Sequence, residues 1–129
     1  MAKESLPKFN IPFEENKKLE KLITKVRRDK ALNTLLRMSN INAIDRLGYN
    51  DHGPVHIKII SNLALKILRI LIKKGTVPTL VKNYGLKNED AEIVVVLGAI
   101  LHDIGHAVHR ENHEILSTFF ASPIIDNLI

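Results

Sequence analysis

The stretch that decides the fold lies at residues 94–106 and reads VVVLGAILHDIGH. Its first eight residues are apolar or glycine, and the next two are an imidazole and a carboxylate, His102 and Asp103. Burying polar groups at the end of an apolar segment is costly unless they are paired, hydrogen-bonded or bound to a metal ion. Neutral imidazole and carboxylate are ordinary ligands of divalent metals, so one ion would offset the cost for both residues. We therefore expect a metal site here.

The secondary structure of this stretch follows from what precedes it. Residues 93–96 are β-branched and are compatible with a strand. However, residues 88–90 read Asn-Glu-Asp, which is typical of a helix N-terminal cap with acids in the first turn. The length of the run, and the lack of a second strand-like segment, favour a buried helix that reaches about Ile104. Gly105 then ends or bends this helix.

The remaining histidines fall into two short windows. Within residues 102–113, histidines stand at spacings of four, three and four, which would align them on one face of a continuous helix. The other two histidines lie four residues apart and well upstream. The six histidines are His52, His56, His102, His106, His109 and His113.

Apolar residues at helical spacing predict further helices along the chain. They are residues 14–28, residues 31–38 with a pattern that continues to Gly48, a helix from Pro54 to residues 73–75, a short helix between Pro78 and Gly85, residues 111–121, and a short final helix from Pro123. Residues 1–12 contain two prolines and predict an extended N-terminal arm. The expected fold is all-α, with about five to seven helices forming one domain over residues 13–129.

Composition limits the classes of function. A chain of 129 residues fits one domain, and its lack of cysteine excludes disulfides, thiolate metal sites and cysteine nucleophiles. A metal must then bind nitrogen and oxygen ligands, which suits Mn, Ni, Co, Fe, Zn or Mg. The N-terminus lacks a secretory signal, and no stretch reaches the roughly 20 apolar residues that span a bilayer. These features predict a cytoplasmic protein with no membrane partner.

The net charge of +5 is concentrated in residues 1–48, which carry 11 basic and 6 acidic side chains. Such a segment can contact nucleic acid, hold an anionic substrate, or form a solvated helical face, and the last is the interpretation we favour. The chain has two tyrosines, four phenylalanines and no tryptophan, which weakens any case for stacking on single-stranded nucleic acid. Nucleic acid is not the expected partner.

The final residues suggest an incompletely covered surface. Ile124, Ile125, Leu128 and Ile129 are apolar and close to one end of the sequence. If they are exposed, they predict a homo-oligomer formed through the C-terminal segment.

His56 lies in the first turn of the helix that begins at Pro54. The residues four, seven and eight positions further on are Ile60, Leu63 and Ala64, so His56 is expected on the core-facing side. A lone histidine there is usually a satisfied core residue. Ligands from two helix ends can also converge on one ion, as they do in helix bundles, and residues 102–103 make this the favoured interpretation.

These residues resemble a known family. A histidine that opens an amphipathic helix, followed far downstream by Leu-His-Asp-Ile-Gly-His at residues 101–106, is similar to the HD-domain superfamily of metal-dependent phosphohydrolases. The resemblance covers roughly residues 49–120, and Asp51-His52-Gly53-x-x-His56 is similar to archaeal members. It implies an HD-domain-like helical bundle that hydrolyses a nucleotide or another phosphate ester by metal-activated water. The alternative is a non-catalytic or partner-completed module that binds metal or nucleotide.

The resemblance also implies particular ligands. His56, His102 and Asp103 would bind the divalent ion, and Asp103 would also be catalytic. The family's fourth ligand is a distal aspartate on a later helix. The sequence has a single later aspartate, Asp126, which we interpret as part of a surface turn. The fourth ligand is then missing, comes from another chain, or is Asp126 itself, which is the less favoured alternative.

The remaining polar residues of the motif region are candidates for binding substrate. His106 stands where many relatives carry a lysine that reaches the substrate phosphate, which implies a catalytic contact with the phosphoryl group. Binding a second metal and capping a helix are the alternatives for His106. His109, Arg110 and His113 can line an anion site or be solvated helix positions. His52 can line the pocket or form an ordinary turn.

Overall fold

The computed structural model describes residues 15–40, 54–107 and 112–128, with side chains for all of these except residues 40, 54, 55 and 106. The described residues form six α-helices, one 3-10 helix and no strand. The elements are α1 (Lys17–Arg28), α2 (Lys30–Asn40), α3 (Pro54–Lys73), α4 (Thr79–Tyr84), α5 (Asn88–Leu101), the 3-10 helix (Ile104–Ala107) and α6 (His113–Leu128). The expected all-α bundle is confirmed for these residues. The expected arm at residues 1–12 and the continuation of the second helix to Gly48 lie outside them.

Helix α5 occupies the middle of the bundle. It packs most extensively on α3 and also contacts α1 and α4. Val96, Leu97, Ile100 and Leu101 are buried in the main core cluster together with apolar residues of α1, α2, α3 and α6. The β-branched run is helical here because Val96 and the apolar residues that follow it are buried against neighbouring helices, and this burial outweighs the modest helix propensity of the run.

The bounds of α5 differ from the sequence prediction at both ends. The residue that caps its N-terminus is Lys87 and not Asn88, because the Asp90 carboxylate accepts a hydrogen bond from the Lys87 backbone N–H at 3.0 Å. The helix ends at Leu101 and not near Ile104. The chain passes through a turn at residues 102–103 before the 3-10 helix begins, so residues 102, 106 and 113 do not share one continuous helix.

A buried polar network joins the N-terminal half of α5 to two other helices. The Glu92 carboxylate accepts hydrogen bonds from Arg69 Nε at 2.8 Å and from Asn16 Nδ2 at 3.0 Å. Asn16 also caps α1, where its side-chain oxygen accepts from the Leu19 backbone N–H at 3.1 Å. Because every partner is engaged by a neighbour from another segment, the network fixes α1 and α3 against α5.

Helix α3 buries a narrower face than its apolar pattern suggests. Ile57, Ser61 and Leu65 are fully buried. Leu63, which was expected to face the core alongside His56, is 50% exposed and belongs to an apolar stripe on the outer side. The other large residues of that stripe are Ile59, Ile67, Ile70 and Leu71. No helix among the described residues is long and apolar enough to cross a membrane.

Helix α6 corrects two expectations about the final residues. It continues without a break through Pro123, where a new helix was expected to start. The proline gives up one backbone hydrogen bond, but the helix is maintained by apolar burial on both sides of it. Ile124 and Leu128 are 4% and 3% exposed, so they belong to the core and do not form an open apolar surface. Ile129 lies outside the described residues.

Candidate metal centre

The carboxylate of Asp103 is the centre of a polar cluster at the end of α5. Asp103 is 4% exposed, although it immediately follows the C-terminal cap residue of the helix. Three imidazoles surround its two oxygens. Oδ2 lies 3.1 Å from His102 Nε2 and 3.5 Å from His56 Nε2, whereas Oδ1 lies 3.3 Å from His113 Nε2. A buried carboxylate is thus supplied with polar partners on both sides.

His102 is oriented by its own helix. Its Nδ1 lies 2.6 Å from the carbonyl oxygen of Ala99, in the last turn of α5. A carbonyl can only accept a hydrogen bond, so the proton of the neutral ring is on Nδ1 and the lone pair of Nε2 faces Asp103. Metal-binding histidines commonly have this arrangement, with one ring nitrogen donating to a carbonyl and the other left to bind.

The charge state of His102 depends on the same contacts. The hydrogen bond with Asp103 raises the pKa of the His102 imidazole above its ordinary value of 6.5, although burial acts in the opposite direction. The Ala99 carbonyl and the negative charge of Asp103 add to the increase in pKa. Without an ion, the cluster therefore favours the positively charged form of His102, in which Nε2 as well as Nδ1 carries a proton.

His56 approaches from a different helix. It lies in the first turn of α3, its side chain is 27% exposed, and its ring centre is 5.6 Å from that of His102. The two rings are tilted by 52°, so they converge on the carboxylate and do not stack flat on each other. The packing of α3 along α5 brings the N-terminus of one helix to the C-terminus of the other.

His113 reaches the cluster because the 3-10 helix packs tightly on α6. A side chain at Gly105 would overlap the backbone of α6 at His113 and Ser117, so only glycine permits this approach. The Gly105 N–H donates to Ser117 Oγ at 2.8 Å, and that hydroxyl donates to the His113 carbonyl at 2.6 Å. These two bonds hold the first turn of α6 next to the turn that carries Asp103.

The donor set fits a divalent metal ion. His56, His102 and Asp103 each offer one ligand atom, and these atoms all lie within 4.8 Å of one another. Two imidazole nitrogens and a carboxylate oxygen suit first-row transition metals. Three protein ligands leave coordination positions open for water or substrate, which is typical of catalytic metal sites.

The structure separates the predicted site residues into three groups. His56, His102 and Asp103 are brought together, and His113 joins them from α6. Asp126 is exposed and lies 13 residues beyond His113 on the same helix, which is about 20 Å along the axis. Asp126 is therefore outside the cluster, in agreement with its interpretation as a surface residue. His52, His109, Arg110 and the side chain of His106 lie outside the described residues.

Sequence reasoning did not identify two features of this region. The first is the Gly105–Ser117 contact, for which the sequence offers only a glycine and a serine with no distinctive spacing. The second is a groove of about 690 Å³ between α5 and α6, whose lining includes His102 and His113 at one end. The small residues Gly98 and Ala121 that line it were the available signal.

The chain is similar in sequence to an archaeal protein over most of its length. No family model matches the chain, and no solved structure matches it. A protein of Methanocaldococcus jannaschii, described only as uncharacterized, is 49% identical over 102 residues. That match covers 79% of this chain and 39% of the relative, so the chain spans well under half the length of the protein it resembles.

Proposed function

We propose that this chain provides the metal site of a metal-dependent phosphohydrolase, which cleaves a nucleotide or another phosphate ester with water. The observation that carries the proposal is the convergence of His56, His102 and Asp103 from two helices, with their ligand atoms within 4.8 Å. The similarity of residues 101–106 to the HD-domain motif supports the same reaction.

In this proposal the described residues hold the ion and the water. His56 Nε2, His102 Nε2 and Asp103 Oδ2 face one another and would bind one divalent cation among Mn, Ni, Co, Fe, Zn and Mg. A bound ion of this kind would lower the pKa of a water molecule towards neutrality and would offset negative charge on phosphoryl oxygens. The second oxygen of Asp103 would orient the attacking water.

The reaction forms one bond to phosphorus and breaks another. The water oxygen bonds to phosphorus, the ester oxygen leaves as an alcohol, and the proton lost by water is returned to that leaving oxygen. His113 Nε2, at 3.3 Å from Asp103 Oδ1, is positioned to exchange a proton with the carboxylate or to donate to a phosphoryl oxygen. His106 is proposed for contact with the phosphate, and His52, His109 and Arg110 for binding substrate.

Partners and location remain part of the proposal. We propose a small phosphorylated substrate, a cytoplasmic location, and no dependence on a membrane or on nucleic acid. We also propose a homo-oligomer, whose contact surface does not include Ile124 and Leu128, because both are buried within the chain.

Two aspartates of the chain provide a matched test. Asp103→Asn removes a charged ligand but preserves the shape of the side chain, whereas Asp126→Asn makes the same change at an exposed position. We expect Asp103→Asn to lose bound metal and to reduce kcat/KM for a generic phosphate ester by at least about 100-fold, since catalysis needs the ion. Elemental analysis measures the bound metal. The release of p-nitrophenol from p-nitrophenyl phosphate measures kcat/KM.

The Asp126→Asn control shows whether a loss is specific to Asp103. Asp126→Asn should retain both metal and turnover, and thermal unfolding of both variants checks that they fold. Full activity and unchanged metal content in Asp103→Asn would refute the assignment.

The second candidate function is a non-catalytic or partner-completed module that binds metal or nucleotide. It is favoured by the observation that the match covers only 39% of the length of the M. jannaschii protein. It predicts tight metal binding that depends on Asp103, without turnover of phosphate monoesters or diesters. Turnover by the wild-type chain would exclude it.

A further inference from the structure

The groove between α5 and α6 begins at the metal cluster. Its lining includes His102 at the end of α5 and His113 at the start of α6, both of which contact Asp103. From there it continues towards Val94 on α5, eight residues or about 12 Å from His102, and towards Ile125 on α6, twelve residues or about 18 Å from His113. Its volume of about 690 Å³ is within the range of sites for small molecules.

The walls of the groove are apolar along its length. On α5 the lining residues repeat at helical spacing and are Val94, Leu97, Gly98 and Leu101. On α6, Ala121 and Ile125 continue the opposite wall. No lysine or arginine is among the described residues that line it. A ligand with a second anionic group would therefore find no opposite charge along these walls.

The polar groups in the α6 wall are already engaged. The Ser117 hydroxyl donates to the His113 carbonyl at 2.6 Å, and the Thr118 hydroxyl donates to the Glu114 carbonyl at 3.1 Å. Neither proton is directed to a ligand. The Glu114 carboxylate lies at the polar end, 3.4 Å from His113 Nε2, and its side chain is mostly exposed to solvent. The groove offers apolar contact along its length and polar contact at one end.

We propose that this groove binds the apolar body of a phosphate ester whose phosphoryl group lies at His102 and His113, which makes the substrate class an ester of an alkyl or aryl alcohol. The position of the phosphoryl group rests on the proposed phosphohydrolase function. Burial of the hydrocarbon provides affinity, and the metal cluster selects the anionic end.

Gly98 makes the groove accessible to a direct test. A Cβ at this position would meet nothing within 4 Å, so a larger side chain can occupy the groove without overlapping the protein. Gly98→Leu should fill the space, whereas Gly98→Ala should leave most of it open. Thr118→Leu, an exposed position on the opposite wall, is a second blocking variant if Gly98→Leu proves unstable in thermal unfolding.

The probes are methylphosphonate and octylphosphonate, which carry the same anionic group and cannot be hydrolysed. With Mn²⁺ present, calorimetric titration of the wild-type chain should show octylphosphonate binding at least about tenfold more tightly, since each buried methylene adds affinity. Gly98→Leu should abolish this advantage and leave the affinity for methylphosphonate unchanged. Gly98→Ala should retain it.

The outcomes separate this inference from the function on which it rests. If methylphosphonate binds but octylphosphonate binds no better, the groove has another occupant, such as a helix of a longer polypeptide, and the inference is overturned while the metal site stands. An advantage that survives Gly98→Leu places the hydrocarbon elsewhere and also overturns it. If neither phosphonate binds, the proposed function fails as well.

Discussion

Gly105 is the residue on which the approach of α6 depends most directly. A methyl group there would overlap the backbone of α6, which is already held by the hydrogen bond from Gly105 N–H to Ser117. We expect Gly105→Ala to lower the free energy of unfolding by about 1–3 kcal/mol, the usual cost of overpacking. Chemical denaturation of the purified variant measures this loss.

The matched control for this change is Gly98→Ala. Gly98 lies within α5 and has open space around it, so alanine should raise the free energy of unfolding by about 0.5–1 kcal/mol through helix propensity alone. Opposite signs for the two substitutions are expected. Equal effects would mean that the contact between Gly105 and α6 is absent in solution.

For single residues, the sequence indicates which side chains belong to the candidate site better than it indicates which side chains contact one another. His102 and Asp103 stand out because polar groups close an apolar run, and His56 because it opens an amphipathic helix. His113 has no such signal for its contact with Asp103. Its position depends on a helix that ends at Leu101 and on a glycine that allows close packing, neither of which its spacing from His102 can indicate.

Among the elements, α5 has the charged contact between Glu92 and Arg69 in its N-terminal half and the cluster around Asp103 at its C-terminal end. Burial raises the pKa of Glu92, but the hydrogen bonds from Arg69 and Asn16 outweigh it and bring the pKa below the ordinary value of 4.5. The folded state therefore binds the Glu92 proton less tightly than the unfolded state. The stabilisation is fully present above pH 4.5 and is lost as the pH falls through the lower, folded-state pKa.

Glu92→Gln tests this contribution. The variant keeps an acceptor for Asn16 but loses the charge that pairs with Arg69, so at pH 7 it should be about 1–3 kcal/mol less stable than the wild type. The difference should shrink below pH 4.5, as followed by urea denaturation across pH. A difference that does not change with pH would show that the loss comes from packing and not from the ion pair.

The helices themselves follow closely from the sequence, and their ends do not. Apolar periodicity identifies α1 and α3 because each must bury one side, whereas α5 is identified by its N-terminal cap and by the length of its apolar run. The end of α5 at Leu101 depends on tertiary contacts, including the Ser39 hydroxyl at 3.4 Å from the carbonyls of Asp103 and Ile104. The continuation of α6 through Pro123 likewise depends on burial of Ile124 and Leu128, which a local pattern does not reveal.

For the whole molecule, the cluster joins segments that are distant along the chain. His56 belongs to α3, residues 102–103 follow α5, and His113 begins α6. An ion that binds the folded chain and not the unfolded one stabilises it by mass action, by about 2.7 kcal/mol when its concentration is 100 times the dissociation constant. We expect Mn²⁺ to raise the unfolding temperature of the wild type, and a chelator to reverse the change.

Asp103→Asn supplies the comparison for this measurement. Its unfolding temperature should not respond to Mn²⁺, because a charged ligand of the proposed set is removed. An equal increase in the variant would place the ion elsewhere on the protein.

The His102 side chain has two functions because its ring nitrogens contact two different groups, the Ala99 carbonyl and the Asp103 carboxylate. It completes the last turn of the helix and also points a ring nitrogen at the neighbouring carboxylate. In a saturation mutagenesis experiment, scores for protein abundance and for metal loading should fall together at residue 102. At the exposed residue 126, neither score should fall.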